Sequence, residues 1–184
     1  HKADLLTHLY NTVKGKQAGK VNLSFEAYIQ AYYFERVVEA ANRRFEAMSE
    51  GRYLLRRRDD SVSISGKNAL VLDVLDHYTG KLRPVSSLSG GESFKAALCL
   101  ALGLSDVIQA GSGGVEIDAL FVDEGFGTLD EASLDKALEV LLGLAGPGKI
   151  VGVISHVPEL KDRITRQIVL KKGALGSTAR IVQA

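Results

Sequence analysis

Two pairs of adjacent polar residues in this chain have the types and placement that phosphoryl transfer needs. Asp123 and Glu124 follow a short apolar run, and Ser155 and His156 follow a second run that is rich in β-branched residues. A carboxylate can hold magnesium, and a second polar group can position the attacking water. We therefore expect Asp123 to be a metal ligand and Glu124 to be the general base. His156 is the further catalytic candidate.

A third group, Leu88-Ser89-Gly90-Gly91-Glu92, has the residue types of a phosphate-contacting helix start. Ser89 and Glu92 also have the spacing of a capping box, which would explain these two residues without any ligand. Capping alone does not need Gly90 and Gly91, which each cost a helical turn roughly 1 kcal/mol relative to alanine. The glycines favour a backbone that another group approaches closely, and bare amides at a helix start bind anions. The loop G-x-x-x-x-G-K-[ST] does not occur in the sequence, so we expect half of an ATP site.

The elements around the two polar pairs predict a βαβ unit. Ala119 to Val122 and Lys149 to Ile154 are typical of buried strands, and Glu131 to Leu144 has helical spacing. Strand, helix and strand within about 36 residues require parallel strands, whose carboxyl ends share one edge of the sheet. Open α/β sheets bind ligands at that edge. The predicted buried face of the helix consists of Leu134, Leu138, Leu141 and Leu142.

The convergence of the two adjacent carboxylates depends on where the first strand ends. Neighbouring strand residues point to opposite faces, so Asp123 and Glu124 reach one site only at the end of the strand. Gly125, Gly127 and Thr128 follow immediately and favour such an ending. The alternative is an acidic turn after a buried strand, without chemistry.

Three motifs, in this order, resemble those of the ABC-type ATPases. LSGGE at 88–92 resembles the signature motif, ALFVDEGFGTLD at 119–130 resembles the Walker B strand with its D-loop, and ISH at 154–156 resembles the switch histidine. Gly125 stands where transporter ATPases usually carry a proline, and residues 23–53 also resemble the SbcC/SMC-like branch. The resemblance implies an α/β fold: the carboxy-terminal lobe of an ABC-type P-loop ATPase head, with a mixed or parallel sheet, flanking helices and a short coiled-coil stub.

The resemblance also implies roles for individual residues. Asp123 would hold Mg²⁺, Glu124 would orient the hydrolytic water, and His156 would sense the γ-phosphate of ATP. ATP and Mg²⁺ are expected only in the complete head dimer, where this chain would contact ATP held mainly by the opposite protomer. The implied cofactor-binding residues are Ser89, Gly90, Gly91, Glu92 and the D-loop residue Asp130.

The implied function is that of an SbcC-like ATPase in a DNA double-strand exonuclease and endonuclease complex for DNA end processing and repair. ATP would join two heads and hydrolysis would release them. The implied partners are the amino-terminal Walker A lobe of the same protein, which this chain lacks, a second head, an SbcD-type nuclease and DNA. The alternatives are a transporter ATPase lobe, or a structural and interaction fragment, and we expect the isolated chain to be without turnover.

The expected domain organisation is coiled-coil base helices over 1–50 and the carboxy-terminal lobe over 51–184. A short helix is predicted around Leu5 to Val13, and a longer one from about Ser24, a possible cap, to Met48. The longer helix is either the base where a nuclease partner docks or an ordinary amphipathic helix on the sheet.

Further strands are predicted on both sides of the βαβ unit. A meander of antiparallel strands is expected ahead of the signature motif, and a hairpin is expected near the end of the chain. The predicted strand segments are Arg52 to Arg57, Ser61 to Ser65, Ala69 to His77, Thr165 to Lys171 and Thr178 to Val182.

Composition is consistent with one cytoplasmic domain and a sizeable core. The 184 residues are 46% hydrophobic, and the single cysteine, Cys99, excludes an internal disulfide framework. The apolar segment Phe94 to Leu104 is too short to cross a bilayer, so we expect it to be buried and expect no membrane partner. With 23 basic and 22 acidic residues, the net charge gives no indication for either DNA binding or membrane binding. Arg43-Arg44 and Arg56 to Arg58 could contact DNA phosphates or simply protect a strand edge.

Overall fold

A computed structural model describes residues 2–14, 24–58, 70–111, 117–145, 148–173 and 176–183. Its helices are α1 (Lys2–Val13), α2 (Phe25–Met48), α3 (Gly90–Gly111), α4 (Glu131–Leu144) and α5 (Pro158–Lys161). Its strands are β1 (Tyr53–Arg57), β2 (Leu72–Asp76), β3 (Lys81–Pro84), β4 (Ala119–Asp123), β5 (Ile150–Ile154), β6 (Arg166–Gly173) and β7 (Gly176–Gln183). Short 3-10 turns span Val85–Ser87 and Phe126–Thr128. The mixed α/β class is confirmed.

Helices α2 and α3 pack closely because small residues meet at their crossing. A Cβ on Gly103 would lie 2.6 Å from the carbonyl oxygen of Val37 and 2.8 Å from the amide nitrogen of Ala41, so only glycine fits there. Ser24 caps α2 as predicted, its hydroxyl accepting a hydrogen bond from the amide of Ala27 at 3.2 Å. The carboxy-terminal half of α2, including Phe45, is part of the core. The domain division at residue 50 stays a prediction.

The predicted meander is confirmed in part: the structure has a three-stranded antiparallel sheet in the order β1-β2-β3, but its third strand, β3, was not predicted. The strand expected over Ala69 to His77 is shorter, and the segment Ser61 to Ser65 lies outside the described residues. Among the described residues, strand β1 is at one edge of this sheet. The side chain of Asn42 follows it, donating from Nδ2 to the carbonyl oxygen of Leu55 at 2.9 Å and accepting from the Leu55 amide at 2.8 Å.

The predicted βαβ unit is also confirmed, since β4 and β5 pair in parallel with Phe121 opposite Gly152. One face of this pair packs on the core through Leu120, Val122, Val151 and Val153. The other face exposes Phe121, Ile150 and Ile154.

The predicted hairpin is confirmed with longer strands, because β6 and β7 pair antiparallel from Arg166 opposite Gln183 to Gly173 opposite Gly176. Ile168, Leu170 and Ile181 are exposed on one face of it. We call the two exposed apolar faces, Phe121, Ile150 and Ile154 on β4–β5 and Ile168, Leu170 and Ile181 on β6–β7, the open sheet faces.

Two expectations about burial are wrong. Leu142 is exposed, because consecutive helix residues are about 100° apart and α4 turns its buried face toward Leu134, Leu138 and Leu141. The segment Phe94 to Leu104 is only half buried: Leu98 and Cys99 face the core, whereas Leu104 is exposed. Helix α3 packs on α2 along one side, and within the described residues its Leu104 and Ile108 are exposed.

Helix α3 is longer than the apolar segment from which it was predicted. Within the described part of the chain, it is the one helix that is long and apolar enough to cross a membrane by length and composition. A core helix can meet the same criteria, and α3 buries Ala96, Cys99 and Leu102 in the main core.

Candidate functional site

Residues Leu88 to Glu92, which we call the signature segment, form the capping box that their spacing predicts. The Ser89 amide donates to Oε2 of Glu92 at 2.8 Å, and the Glu92 amide donates to Oγ of Ser89 at 3.4 Å. Helix α3 begins at Gly90, directly after this cap. Ser89 and Gly90 are both exposed, so the cap leaves the start of the helix accessible to an anion.

The close approach expected at the two glycines comes, at one of them, from the chain itself. A Cβ on Gly91 would lie 2.9 Å from the carbonyl oxygen of Thr128, whereas one on Gly90 would make only ordinary contact with the Thr128 side chain at 3.6 Å. Gly91 is therefore required by packing against the turn Phe126–Thr128. For Gly90 the packing of the described residues gives no such reason.

The five predicted cofactor-binding residues come together around one depression of about 480 Å³. Asp130 belongs to it as the N-cap of α4, where its carboxylate accepts from the Ser133 amide at 3.1 Å. Hydrogen bonds from Ser133 lower the pKa of Asp130. The depression is lined by Ser89, Gly90, Gly91, Glu92, Lys95, Thr128, Leu129, Asp130 and Ser133.

Glu92 is held by more than the capping box, because the Tyr53 hydroxyl donates to its Oε1 at 2.8 Å. Both carboxylate oxygens therefore have a hydrogen bond from this chain. Burial raises the pKa of Glu92, but the hydrogen bonds from Ser89 and Tyr53 outweigh it, so the pKa lies below its ordinary value. Burial, followed by the hydrogen bond to Glu92, raises the pKa of Tyr53. Glu92 is thus a structural group of the helix start.

The carboxylate pair lies where β4 ends, as the following glycines predicted. Glu124 adopts a positive φ of 60° and Gly125 a φ of 94°, which turns the chain sharply after Asp123. The Glu124 amide still donates to the carbonyl oxygen of Ile154 at 2.9 Å, so the ends of β4 and β5 stay together. Oε2 of Glu124 lies 2.9 Å from Nδ1 of His156, and both side chains are exposed. We call Asp123, Glu124 and His156 the carboxylate edge.

Gly125 is fixed by packing as well as by its backbone conformation. A Cβ there would lie 2.2 Å from the ring of Phe94, and the rings of Phe94 and Phe126 pack edge to face at 4.9 Å. Because proline requires a negative φ, the residue that is usual in transporter ATPases could not adopt this turn. Phe94 belongs to α3, so the signature helix packs directly against the turn that follows the carboxylate edge.

The structure does not bring all predicted site residues into one place. The lining of the depression does not include Asp123, Glu124 or His156, so the signature segment and the carboxylate edge are two separate parts. Within the described residues no group of three or more His, Cys, Asp or Glu could hold a metal ion. A magnesium ion on Asp123 would therefore need further ligands from water, nucleotide or residues outside this set.

Sequence reasoning missed two residues that support the site. Lys95, which lines the depression, donates to Oγ of Ser133 at 3.3 Å and to the carbonyl oxygen of Met48 at 3.4 Å. Tyr53 is 39 positions from Glu92 in the sequence. Lys95 follows Glu92 by three residues, so helical periodicity could have placed it on the same face. No local pattern links Tyr53 to Glu92.

Comparison with known proteins places these motifs in a family context. Residues 68–142 match the family model described as SbcC/RAD50-like, Walker B motif. The chain is 50% identical over 157 residues to the SbcC protein of nuclease SbcCD from Staphylococcus haemolyticus, an alignment that covers 85% of this chain and 15% of that protein. It is 45% identical over 174 residues to the SbcC protein of nuclease SbcCD from Vibrio cholerae, covering 95% of this chain and 17% of that protein. These similarities favour the SbcC-like interpretation over the transporter alternative.

A solved structure is similar in fold. It is an SMC ATPase chain studied for ATP-driven dimerization and DNA stimulated activation, with a TM-score of 0.66 at 13% identity, over 85% of this chain and 89% of that chain. Likeness at this identity shows the shared fold alone. The chain spans about a sixth of the length of the curated relatives that it matches.

Proposed function

This chain belongs to the SbcC/RAD50-like family, and from that membership we propose that it is the carboxy-terminal lobe of an ATPase head. In this proposal it supplies the signature segment and the carboxylate edge to an ATP-hydrolysing machine that processes DNA ends in repair. The chain lacks the P-loop motif, so the nucleotide is held mainly by another lobe.

The observation that carries the proposal is the 2.9 Å distance between Glu124 and His156 at the adjacent ends of two parallel strands. In this arrangement Glu124 is the general base that orients the attacking water, and His156 holds that carboxylate and contacts the γ-phosphate. Asp123, the residue before Glu124, would be the ligand for magnesium. The positive charge of a bound magnesium ion would stabilise the negative charge on the phosphate oxygens.

The separation of the two parts supports a composite site. In the proposed dimer, Ser89 and Gly90 at the start of α3 donate to the γ-phosphate of the ATP held by the opposite head, while the carboxylate edge serves the ATP of its own head. Asp130 lies across the dimer interface beside the signature segment. The site is complete only when two heads close, so ATP binding favours the closed dimer.

The open sheet faces support a missing partner lobe. Three large apolar side chains on each of two sheets are exposed, and monomeric proteins seldom expose such groups together. We assign the β4–β5 face to the amino-terminal P-loop lobe of the same protein. An SbcD-type nuclease and a second head complete the proposed cytoplasmic complex, with helices α1 and α2 as the coiled-coil base and no membrane partner.

We propose DNA contacts for only part of the cluster Arg56 to Arg58, because not every arginine in it is free of partners within the fold. Arg58 donates from Nε to Oδ2 of the buried Asp73 at 2.8 Å, and this hydrogen bond holds the pKa of Asp73 below its ordinary value. Arg58 therefore already forms an ion pair within the fold. Arg44 is similarly paired with Asp106 at 2.7 Å. Arg56, which is exposed, stays available for phosphates.

The test is magnesium-dependent ATP hydrolysis by this chain alone and after mixing with a separately produced P-loop lobe. We expect no turnover from the chain alone, turnover from the mixture, and loss of that turnover with Glu124→Gln. The Glu124→Gln mixture should instead accumulate an ATP-bound dimer, because the binding groups remain while the base is lost. Turnover by the chain alone, or a fully active Glu124→Gln mixture, would contradict the proposal.

A further inference from the structure

We infer that Tyr53 is a positioning residue for the signature segment, acting on Ser89 through the carboxylate of Glu92. This inference rests on the proposed function, because it assigns Tyr53 to the site that serves the opposite head. Tyr53 lies at the start of β1, five residues after the end of α2, and far from the signature segment in sequence.

The hydrogen bonds form a continuous path. The Tyr53 hydroxyl donates to Oε1 of Glu92 at 2.8 Å, and Oε2 of the same carboxylate accepts from the Ser89 amide at 2.8 Å. A carboxylate is planar and rigid, so fixing one oxygen fixes the direction of the other. The backbone of Ser89, which precedes the exposed start of α3, is thereby oriented from β1.

Tyr53 is itself held tightly enough to act as a fixed support. Its side chain is buried, with the residue 3% exposed, and its ring stacks on Phe45 of α2 with centroids 6.2 Å apart and an 18° angle between planes. The guanidinium of Arg52 lies 4.7 Å from the ring centroid, and Arg52 is paired with Asp76 at 3.2 Å. A buried ring that is packed this closely has little freedom to move with the Glu92 carboxylate if that carboxylate is displaced.

Arg83 connects the same hydroxyl to the segment before the signature. Its Nη2 donates to the Tyr53 hydroxyl at 3.4 Å, and its Nη1 donates to the carbonyl oxygen of Ser87 at 2.8 Å. The Tyr53 hydroxyl therefore accepts from Arg83, which precedes the signature segment in the chain, and donates to Glu92, which belongs to that segment. We call Tyr53, Arg83 and Glu92 the signature brace.

The arrangement separates positioning from nucleotide binding. The P-loop of the same head lies outside the brace, so loosening the brace should leave ATP binding by a single head unchanged. The signature contacts form only in the closed dimer, so their misplacement should lower the rate of hydrolysis at saturating ATP.

The experiment compares Tyr53→Phe with wild type in the full-length protein. The substitution keeps the ring and removes the hydroxyl, which leaves Oε1 of Glu92 without its tyrosine partner. We expect kcat to fall about tenfold, the typical size for a lost hydrogen bond to a charged group, with the ATP affinity of the single head unchanged within about twofold. The matched control is Tyr78→Phe, an exposed tyrosine whose ring centroid lies 5.2 Å from the Arg52 guanidinium and which should keep wild-type kcat.

A mixing experiment distinguishes positioning in trans from a general loss of structure. Tyr53→Phe protein is mixed with protein whose P-loop lysine has been replaced, so each mixed dimer holds one intact composite site. Random mixing should restore about a quarter of the wild-type rate, because half of the dimers are mixed and each has one working site of two. Ser89→Arg protein, treated in the same way, is the reference for a signature defect.

The outcomes separate the inference from the proposed function. Loss of kcat in Tyr53→Phe with rescue equal to that of Ser89→Arg supports the inference. Wild-type kcat in Tyr53→Phe, or loss without rescue while Ser89→Arg is rescued, overturns the inference alone. Full activity of Ser89→Arg, or its failure to be rescued, overturns the composite site and with it the proposed function.

Discussion

Gly125 shows how the absence of a single side-chain atom fixes the turn between the carboxylate edge and the signature helix. A φ of 94° excludes relaxed side chains, and the Phe94 ring occupies the place where a Cβ would lie. We expect Gly125→Ala to lower the free energy of unfolding by about 3 kcal/mol, from overpacking and from the positive φ together. Equilibrium denaturation of the chain in urea measures this change.

Gly143 is the matched control for that substitution. It is exposed in α4, and a Cβ there would have no heavy atom within 4 Å. Gly143→Ala should stabilise the chain by about 0.5 kcal/mol, because alanine has the higher helix propensity. Equal effects at the two glycines would show that the Phe94 contact does not constrain the turn.

Helix α4 gives a sharp comparison at the level of an element, since two adjacent leucines have opposite surroundings. Leu141 is 2% exposed and belongs to the core, whereas Leu142 is 60% exposed. We expect Leu141→Ala to cost about 3 kcal/mol through lost burial and a cavity, and Leu142→Ala to cost less than about 1 kcal/mol. Thermal or urea unfolding of both variants measures the difference, and a large loss at Leu142 would reveal an apolar contact within the isolated chain.

The elements were predictable where local signals agree. Ser24 and the three-four spacing after it predicted α2, and two apolar runs flanking a helical segment predicted the parallel pair β4–β5. The capping box at Ser89 and the strand end at Asp123 were also encoded within a few residues.

Other features depend on contacts that no local pattern contains. The bond from Tyr53 to Glu92 joins residues 39 positions apart, and the pairing of Arg58 with Asp73 turned an expected surface cluster partly inward. Apolar residues such as Leu142 were expected to be buried because sequence shows hydrophobicity and not the surface that covers it.

At the scale of the whole molecule, the open sheet faces predict how the two lobes assemble. Ile168 is 72% and Ile181 82% exposed, and they face each other across β6–β7. If the P-loop lobe also covers this hairpin, Ile168→Glu should weaken its binding to this chain about tenfold or more, because a charge would be placed in an apolar contact. Isothermal titration calorimetry with the separate P-loop lobe measures the dissociation constant.

The control places the same charge on the same hairpin away from that face. Alternate residues of a strand lie on the same face, so Val169 and Lys171 lie on the face of β6 opposite to Ile168. Lys171 is exposed and is therefore the suitable position. Lys171→Glu should leave the dissociation constant within about threefold, since a surface charge is only weakly coupled across solvent. Equal binding by Ile168→Glu and wild type would show that the lobe covers the β4–β5 face alone.

The side-chain amide of Asn42 affects how the lobe behaves before it assembles with the P-loop lobe. It gives the edge residue Leu55 the two hydrogen bonds that a neighbouring strand would give. An unfolded segment arriving at β1 finds these backbone groups already satisfied and must displace a side chain anchored in α2 before it can pair. Asn42 thus reduces strand addition at this edge, and with it aggregation, before the lobe has assembled with its partner.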